Sequence, residues 1–125
     1  MGRSYGELVR AGRLDEVDLV HLAEEIESLG NSERKAVKSQ LRRMLVHLIK
    51  QRIQPEQDGP SWRASIADAR VETMADLRTS PSLRRYLAQI LQQTYRDAVE
   101  LAMIETDVKT QMPQECPFTL EELLQ

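Results

Sequence analysis

The sequence predicts an all-α protein, a compact antiparallel bundle of about five helices built on a central helical hairpin. Three observations lead there. Apolar residues recur at the three- and four-residue spacing of a helix face through most of the 125 residues. Residues that cap or break helices separate those runs, and no stretch alternates with the two-residue period of a strand. The five aromatics (Trp62, Phe118, Tyr5, Tyr86 and Tyr95) leave the core to Leu, Ile, Val, Met and Ala, which suits helix packing.

Length bounds the rest. A 14.4 kDa chain buries roughly two-thirds of its unfolded surface, enough for one core, so residues 1–125 are read as a single helical domain. With 41% hydrophobic and 30% charged residues the composition is globular rather than disordered. A net charge of −3 gives no global attraction to nucleic acid or to an anionic membrane. No run has the length of a signal peptide's apolar region or of a membrane span, so a cytoplasmic location is the expectation. Cys116 is the single cysteine, which excludes an internal disulfide and a cysteine-based zinc cluster.

In chain order, Ser4 to Ala11 reads as a short N-terminal helix that Gly12 ends. The hairpin occupies 15–54. Asp15 caps a first arm carrying Leu19, Leu22, Ala23, Ile26 and Leu29 on one face, and Gly30 stands where a helix commonly terminates. Asn31 or Ser32 restarts a second arm with Val37, Leu41, Met44, Leu45, Leu48 and Ile49, which ends before Pro55. Residues 55–60 (PEQDGP) form a loop. A helix over 61–78 comes next, capped by Ser61, with Trp62, Ile66, Ala69, Met74 and Leu77 on its face and Val71 off it. Trp62 is read as a core anchor. Ser80 and Pro81 start a long helix over 81–107 with Leu83, Leu87, Ile90, Leu91, Thr94, Ala98, Leu101 and Ala102 on its stripe. Pro113 and Pro117 interrupt the chain beyond that helix. Thr119 and Glu122 then form a capping box for a C-terminal helical turn over 119–124.

The hairpin is also an electrostatic pattern. Asp18 to Glu27 supply four acids, while Arg34, Lys35, Lys38, Arg42, Arg43, Lys50 and Arg52 supply seven bases with no acid among them. A turn near Asn31 sets Glu24 opposite Lys38 and Glu27 opposite Lys35, each exposed pair contributing up to about 1 kcal/mol and fixing register. The other reading gives the basic arm to nucleic-acid phosphates, with the strong salt dependence such contacts carry. The acidic neighbour competes for those cations, and no aromatic interleaves with them as a base-stacking platform. Arg84 and Arg85 add only a small second patch.

The metal-ligand candidates are His21, Glu24, Glu25 and His47. The first three share a helix at i, i+3 and i+4, a spacing that converges ligands inside helical bundles. Against this, His21 lies roughly 140° from the centre of its own apolar stripe, so it faces outward. The hairpin register also separates His47, which falls beside Asp15, from His21 by about 10 Å along the axis. Glu24 with Glu27 has the spacing of the magnesium-holding pairs of helical nucleotide pyrophosphohydrolases, and Glu72 with Asp76 is the one second pair at hand. No cofactor is predicted, and a divalent metal is kept as the alternative. Cys116 has an acidic neighbour in Glu115, which raises rather than lowers a thiol pKa. No Gly-rich phosphate loop and no nucleophile elbow is present.

Taken together, LDEVDLVHLAEEIESLGNSER at 14–34, LVHLIK followed by QP at 45–55, SWRASI at 61–66, SPSL at 80–83 and MPQECPFT at 112–119 resemble a bacterial family. It is catalogued as domain of unknown function number 29. The resemblance spans nearly the whole chain in order, with Gln51 where it leads one to expect an aromatic residue. It implies an all-helical bundle in a bacterial cytoplasm and brings no activity and no catalytic residues. The function expected is a non-catalytic helical interaction module that binds another protein or itself, a dimer being compatible. Two alternatives stay open: a metal-dependent hydrolase using His21, Glu24, Glu25 or His47, and nucleic-acid binding through 34–52.

Overall fold

The computed structural model describes residues 16–125, without the side chains of residues 16–18, 23 and 25–29. The short N-terminal helix and the Asp15 cap read from the sequence lie outside the described residues. Among the described residues there are four α-helices: α1 (Glu16–Ile53), α2 (Pro60–Thr79), α3 (Leu83–Thr106) and α4 (Leu120–Leu124), with a 3-10 turn at Pro55–Gln57. No strand occurs among the described residues, and the all-α class stands. None of these helices is long and apolar enough to cross a membrane.

One expectation is overturned. The hairpin over 15–54 is a single 38-residue helix, continuous through Gly30, Asn31 and Ser32. A glycine stops a helix when it takes up left-handed backbone at the C′ position, and Gly30 does not have that positive φ. Its cost inside a helix is only about 1 kcal/mol relative to Ala. No proline comes before Pro55 to forbid continuation. With the turn goes the register that paired Glu24 with Lys38 and Glu27 with Lys35.

The chain divides into two units between Glu33 and Arg34, and the second, Arg34–Gln125, holds the core. From α1 it takes Val37, Leu41, Met44, Leu45 and Ile49, all buried. From α2 come Ile66, Ala69, Thr73 and Leu77, and from α3 Leu83, Leu87, Thr94, Tyr95, Ala98 and Ala102. Burying one such Leu or Ile contributes about 1.5–3 kcal/mol. The two buried threonines cost little, because Thr73 Oγ1 donates to Ala69 O and Thr94 Oγ1 to Ile90 O, each at 2.8 Å. Val71, off the stripe in the sequence, is exposed.

Side-chain pairs set the directions. Arg43 meets Asp68 and Lys50 meets Trp62, so moving forward along α1 moves backward along α2. Arg34 meets Tyr86 and Lys50 meets Glu105, so α3 runs parallel to this part of α1. The connection between α1 and α2 is short. Asp58 N–H donates to Pro55 O at 3.1 Å, and Gln51 Nε2 donates to Asp58 Oδ1 at 3.0 Å.

The helix ends shift slightly from those expected. Gly59 is the N-cap of α2 with Pro60 in the first turn, so Ser61 is already helical. Ser80 closes α2 instead of opening α3, and Pro81 with Ser82 forms a turn before Leu83. Asp107 ends α3 in left-handed backbone at φ 55°. Asp is one of the few non-glycine residues that adopt it.

Beyond α3 the chain returns along that helix. Tyr95 Oη donates to Pro113 O at 2.7 Å, and Gln92 uses both ends of its amide, donating to Gln114 O and accepting from Cys116 N–H, each at 2.8 Å. Thr119 Oγ1 accepts the Glu122 N–H at 3.1 Å, the cap expected for α4. That cap seats Leu120, Leu123 and Leu124 in the core, where Arg70 Nε donates to Leu123 O at 2.8 Å.

Candidate protein-interaction groove

One side of α1 beyond Arg34 carries Ser39, Arg42, Arg43, Val46, His47 and Lys50 at three- and four-residue spacing, with Val46 itself buried in the core. With Leu101 and Glu105 of α3, one turn apart, they line an open groove of about 590 Å³. Arg43 Nη2 reaches Asp68 Oδ2 at 2.6 Å and Lys50 Nζ reaches Glu105 Oε2 at 2.8 Å. Arg42 is exposed at the groove. His47 lies 2.7 Å through Nδ1 from the carbonyl of Arg43. A carbonyl only accepts, so the neutral ring carries its proton on Nδ1 and its lone pair on Nε2. Arg43 Nε and Gln40 Oε1 are buried and find no partner among the described residues.

Four of the seven cations of 34–52 are thus engaged within their own unit, three of them over rings. Arg34 lies 5.4 Å from the centre of the Tyr86 ring, Lys50 5.8 Å from Trp62 and Arg52 4.6 Å from Phe118. Each such contact contributes about 0.5–1 kcal/mol at an exposed position. Trp62, read as a core anchor, is only half-buried and serves as one of these rings. The sequence gives no local sign of these pairings, because each aromatic comes from a different and distant segment.

Two apolar residues of α3 are open to solvent: Leu101, which lines the groove, is 38% exposed, and Ile104, one turn further along, is 68% exposed. Leu101 was expected on the buried stripe. That stripe runs through Leu87, Thr94, Ala98 and Ala102, and at ~100° per residue Leu101 falls at its edge and Ile104 well outside it.

The metal candidates are not brought together by any described geometry. His21 and Glu24 are exposed residues of the first unit, the Glu25 side chain lies outside the described ones, and His47 belongs to the groove. Asp15, the expected neighbour of His47, is also outside the described residues. Among the described residues no group of three His, Cys, Asp or Glu side chains is placed to hold a metal ion. Arg84 and Arg85 are exposed, and Arg85 shares a separate depression with Arg34, Tyr86 and Gln89.

Cys116 is partly buried and its thiol donates to Phe118 O at 3.3 Å. Burial pushes its pKa up and the nearby Glu122 carboxylate adds to the rise, against the lowering by backbone hydrogen bonding at Phe118 and by the Arg52 guanidinium. The acid that matters is therefore Glu122, one helical turn beyond Thr119, rather than the adjacent Glu115. A thiol held protonated is a poor nucleophile at neutral pH.

No curated protein and no solved structure matches the chain. The model of one family, described as domain of unknown function DUF29, matches residues 4–125, and the chain belongs to that family.

Proposed function

We propose that this chain is a non-catalytic protein-interaction module of the bacterial cytoplasm, and that the groove between α1 and α3 receives an amphipathic helix of acidic character. The observation that supports this reading is Leu101, exposed in the groove beside a wall of Arg42, Arg43, His47 and Lys50, with Ile104 exposed one helical turn further along α3. Exposed apolar side chains rimmed by charge mark binding surfaces, and three cations against Glu105 leave the groove positive. From Ser39 to Lys50 it offers about three turns of helix, roughly 17 Å at 1.5 Å per residue. That length suits a partner helix presenting anchors at i, i+3 or i+4, and i+7.

The test is fluorescence anisotropy of the full chain with a labelled synthetic helix carrying Leu on one face and Glu on its flanks. Saturable binding should weaken at least tenfold with Arg42→Glu or Leu101→Glu. Absence of binding, or equal binding by these variants in their folded form, refutes the proposal.

A further inference from the structure

Resting on that reading of the groove, we infer that His47 makes its occupancy pH-dependent, the acidic helix being held more tightly when the imidazole is charged. Two features of the ring lead to it. Its Nδ1 is committed to the Arg43 carbonyl at 2.7 Å, so the neutral ring keeps its lone pair on Nε2. Nε2 makes no hydrogen bond to any described residue and is not shut off from solvent. A proton therefore adds at Nε2 without breaking the contact that orients the ring. The ring lines the groove, with Arg43 and Lys50 one helical turn to either side of it along α1.

The charges around the ring give that proton its weight. Arg42, Arg43 and Lys50 of α1 and Glu105 of α3 share the groove with His47. Arg43 is matched by Asp68 of α2 at 2.6 Å, and Lys50 by Glu105 at 2.8 Å. Among the described residues Arg42 is left as the groove's cation with no carboxylate ion-paired to it. Charging His47 raises that unmatched charge from one to two, and Glu105 is already taken by Lys50. An imidazolium Nε2–H also donates to a partner carboxylate, whereas the neutral nitrogen meets it acceptor to acceptor. The coupling is reciprocal: a helix that prefers the charged ring takes up a proton as it binds. Histidine is the side chain whose ordinary charge change falls at about pH 5 to 8, a range in which glutamates on the flanks of a synthetic helix stay largely ionised.

Fluorescence anisotropy of the full chain with the same labelled helix, at about pH 5.5 and about pH 8 in low salt, tests this. The wild-type Kd should be about three- to fivefold lower at the acid pH, as much as one exposed ion pair supplies, and the ratio should shrink as salt is added. His47→Gln keeps an amide N–H for the Arg43 carbonyl and carries no charge, so it should bind with the alkaline wild-type affinity at both pH values. His21→Gln, which changes the other of the two histidines, should leave the ratio as in the wild type. Far-UV circular dichroism checks that both variants are folded. Calorimetry of the unaltered chain in two buffers of different ionisation enthalpy should show proton uptake on binding at about pH 6.5, a readout that needs no variant. Equal wild-type affinity at the two pH values, binding without proton uptake, a ratio that survives in folded His47→Gln, or one lost in folded His21→Gln overturns the inference and leaves the interaction module standing. A chain that does not bind the helix at either pH removes both.

Discussion

Replacing Gly30 with Ala distinguishes the continuous helix from a hairpin by the sign of its effect. In α1 the residue lies in a helix interior, without a positive φ, and a β-carbon added there meets nothing within 4 Å. The substitution therefore brings no clash, and the gain is the difference in helix propensity, about 0.8–1 kcal/mol. At about 1.4 kcal/mol per factor of ten this is about a four- to fivefold change in local opening. At a helix-ending glycine in left-handed backbone the same β-carbon instead costs about 1–2 kcal/mol. Amide hydrogen exchange, read by mass spectrometry on fragments covering residues 24–36, reports the difference directly. Gly30→Ala should slow exchange there about four- to fivefold and raise helical circular dichroism. Faster exchange or loss of helix in the variant would refute the continuous helix.

The second unit offers further perturbations. Leu87→Ala empties a site that is 0% exposed and should cost about 2–5 kcal/mol in urea unfolding, the range that cavities of this kind produce. Thr119→Ala removes the α4 cap and should cost about 1 kcal/mol, with faster exchange at Leu123 and Leu124. Asp107→Gly should stabilise by up to about 1 kcal/mol in the same assay, since glycine carries no penalty at φ 55°. Burial raises the pKa of both Tyr95 and Cys116, so the folded state holds these protons more tightly than the unfolded chain. That stability is full below the ordinary range of thiols and phenols and is lost as the pH climbs through the raised values. Urea midpoints should fall on the alkaline side, and Cys116→Ser with Tyr95→Phe should flatten the slope.

Much of the fold was legible because helix faces and stop signals are local properties of the chain. The buried stripe of α1 beyond Arg34, the loop at Pro55, the end of α3 at Asp107 and the cap at Thr119 all lie where spacing and side-chain chemistry put them. What misled was Gly30 with Asn31 and Ser32 after it, a sequence compatible with a C′ glycine and a fresh N-cap. Propensity there differs from a good helix by only about 1 kcal/mol, less than the continuity of a long helix can absorb. The choice of Ser61 over Gly59 and Pro60 as the start of α2 is the same kind of small local margin. Leu101 shows a third limit. A stripe on a helical wheel has edges, and only the neighbouring helices decide whether an edge residue is covered.

The groove was legible as charge but not as a place. Seven cations in 34–52 announce that carboxylates or rings lie nearby, and the sequence offers the adjacent acidic segment as the obvious source. The structure instead takes the partners of Arg34, Arg43, Lys50 and Arg52 from α2, α3 and the segment before α4. Charge in a sequence thus announces that partners exist, and the packing of distant segments decides which of them supply those partners.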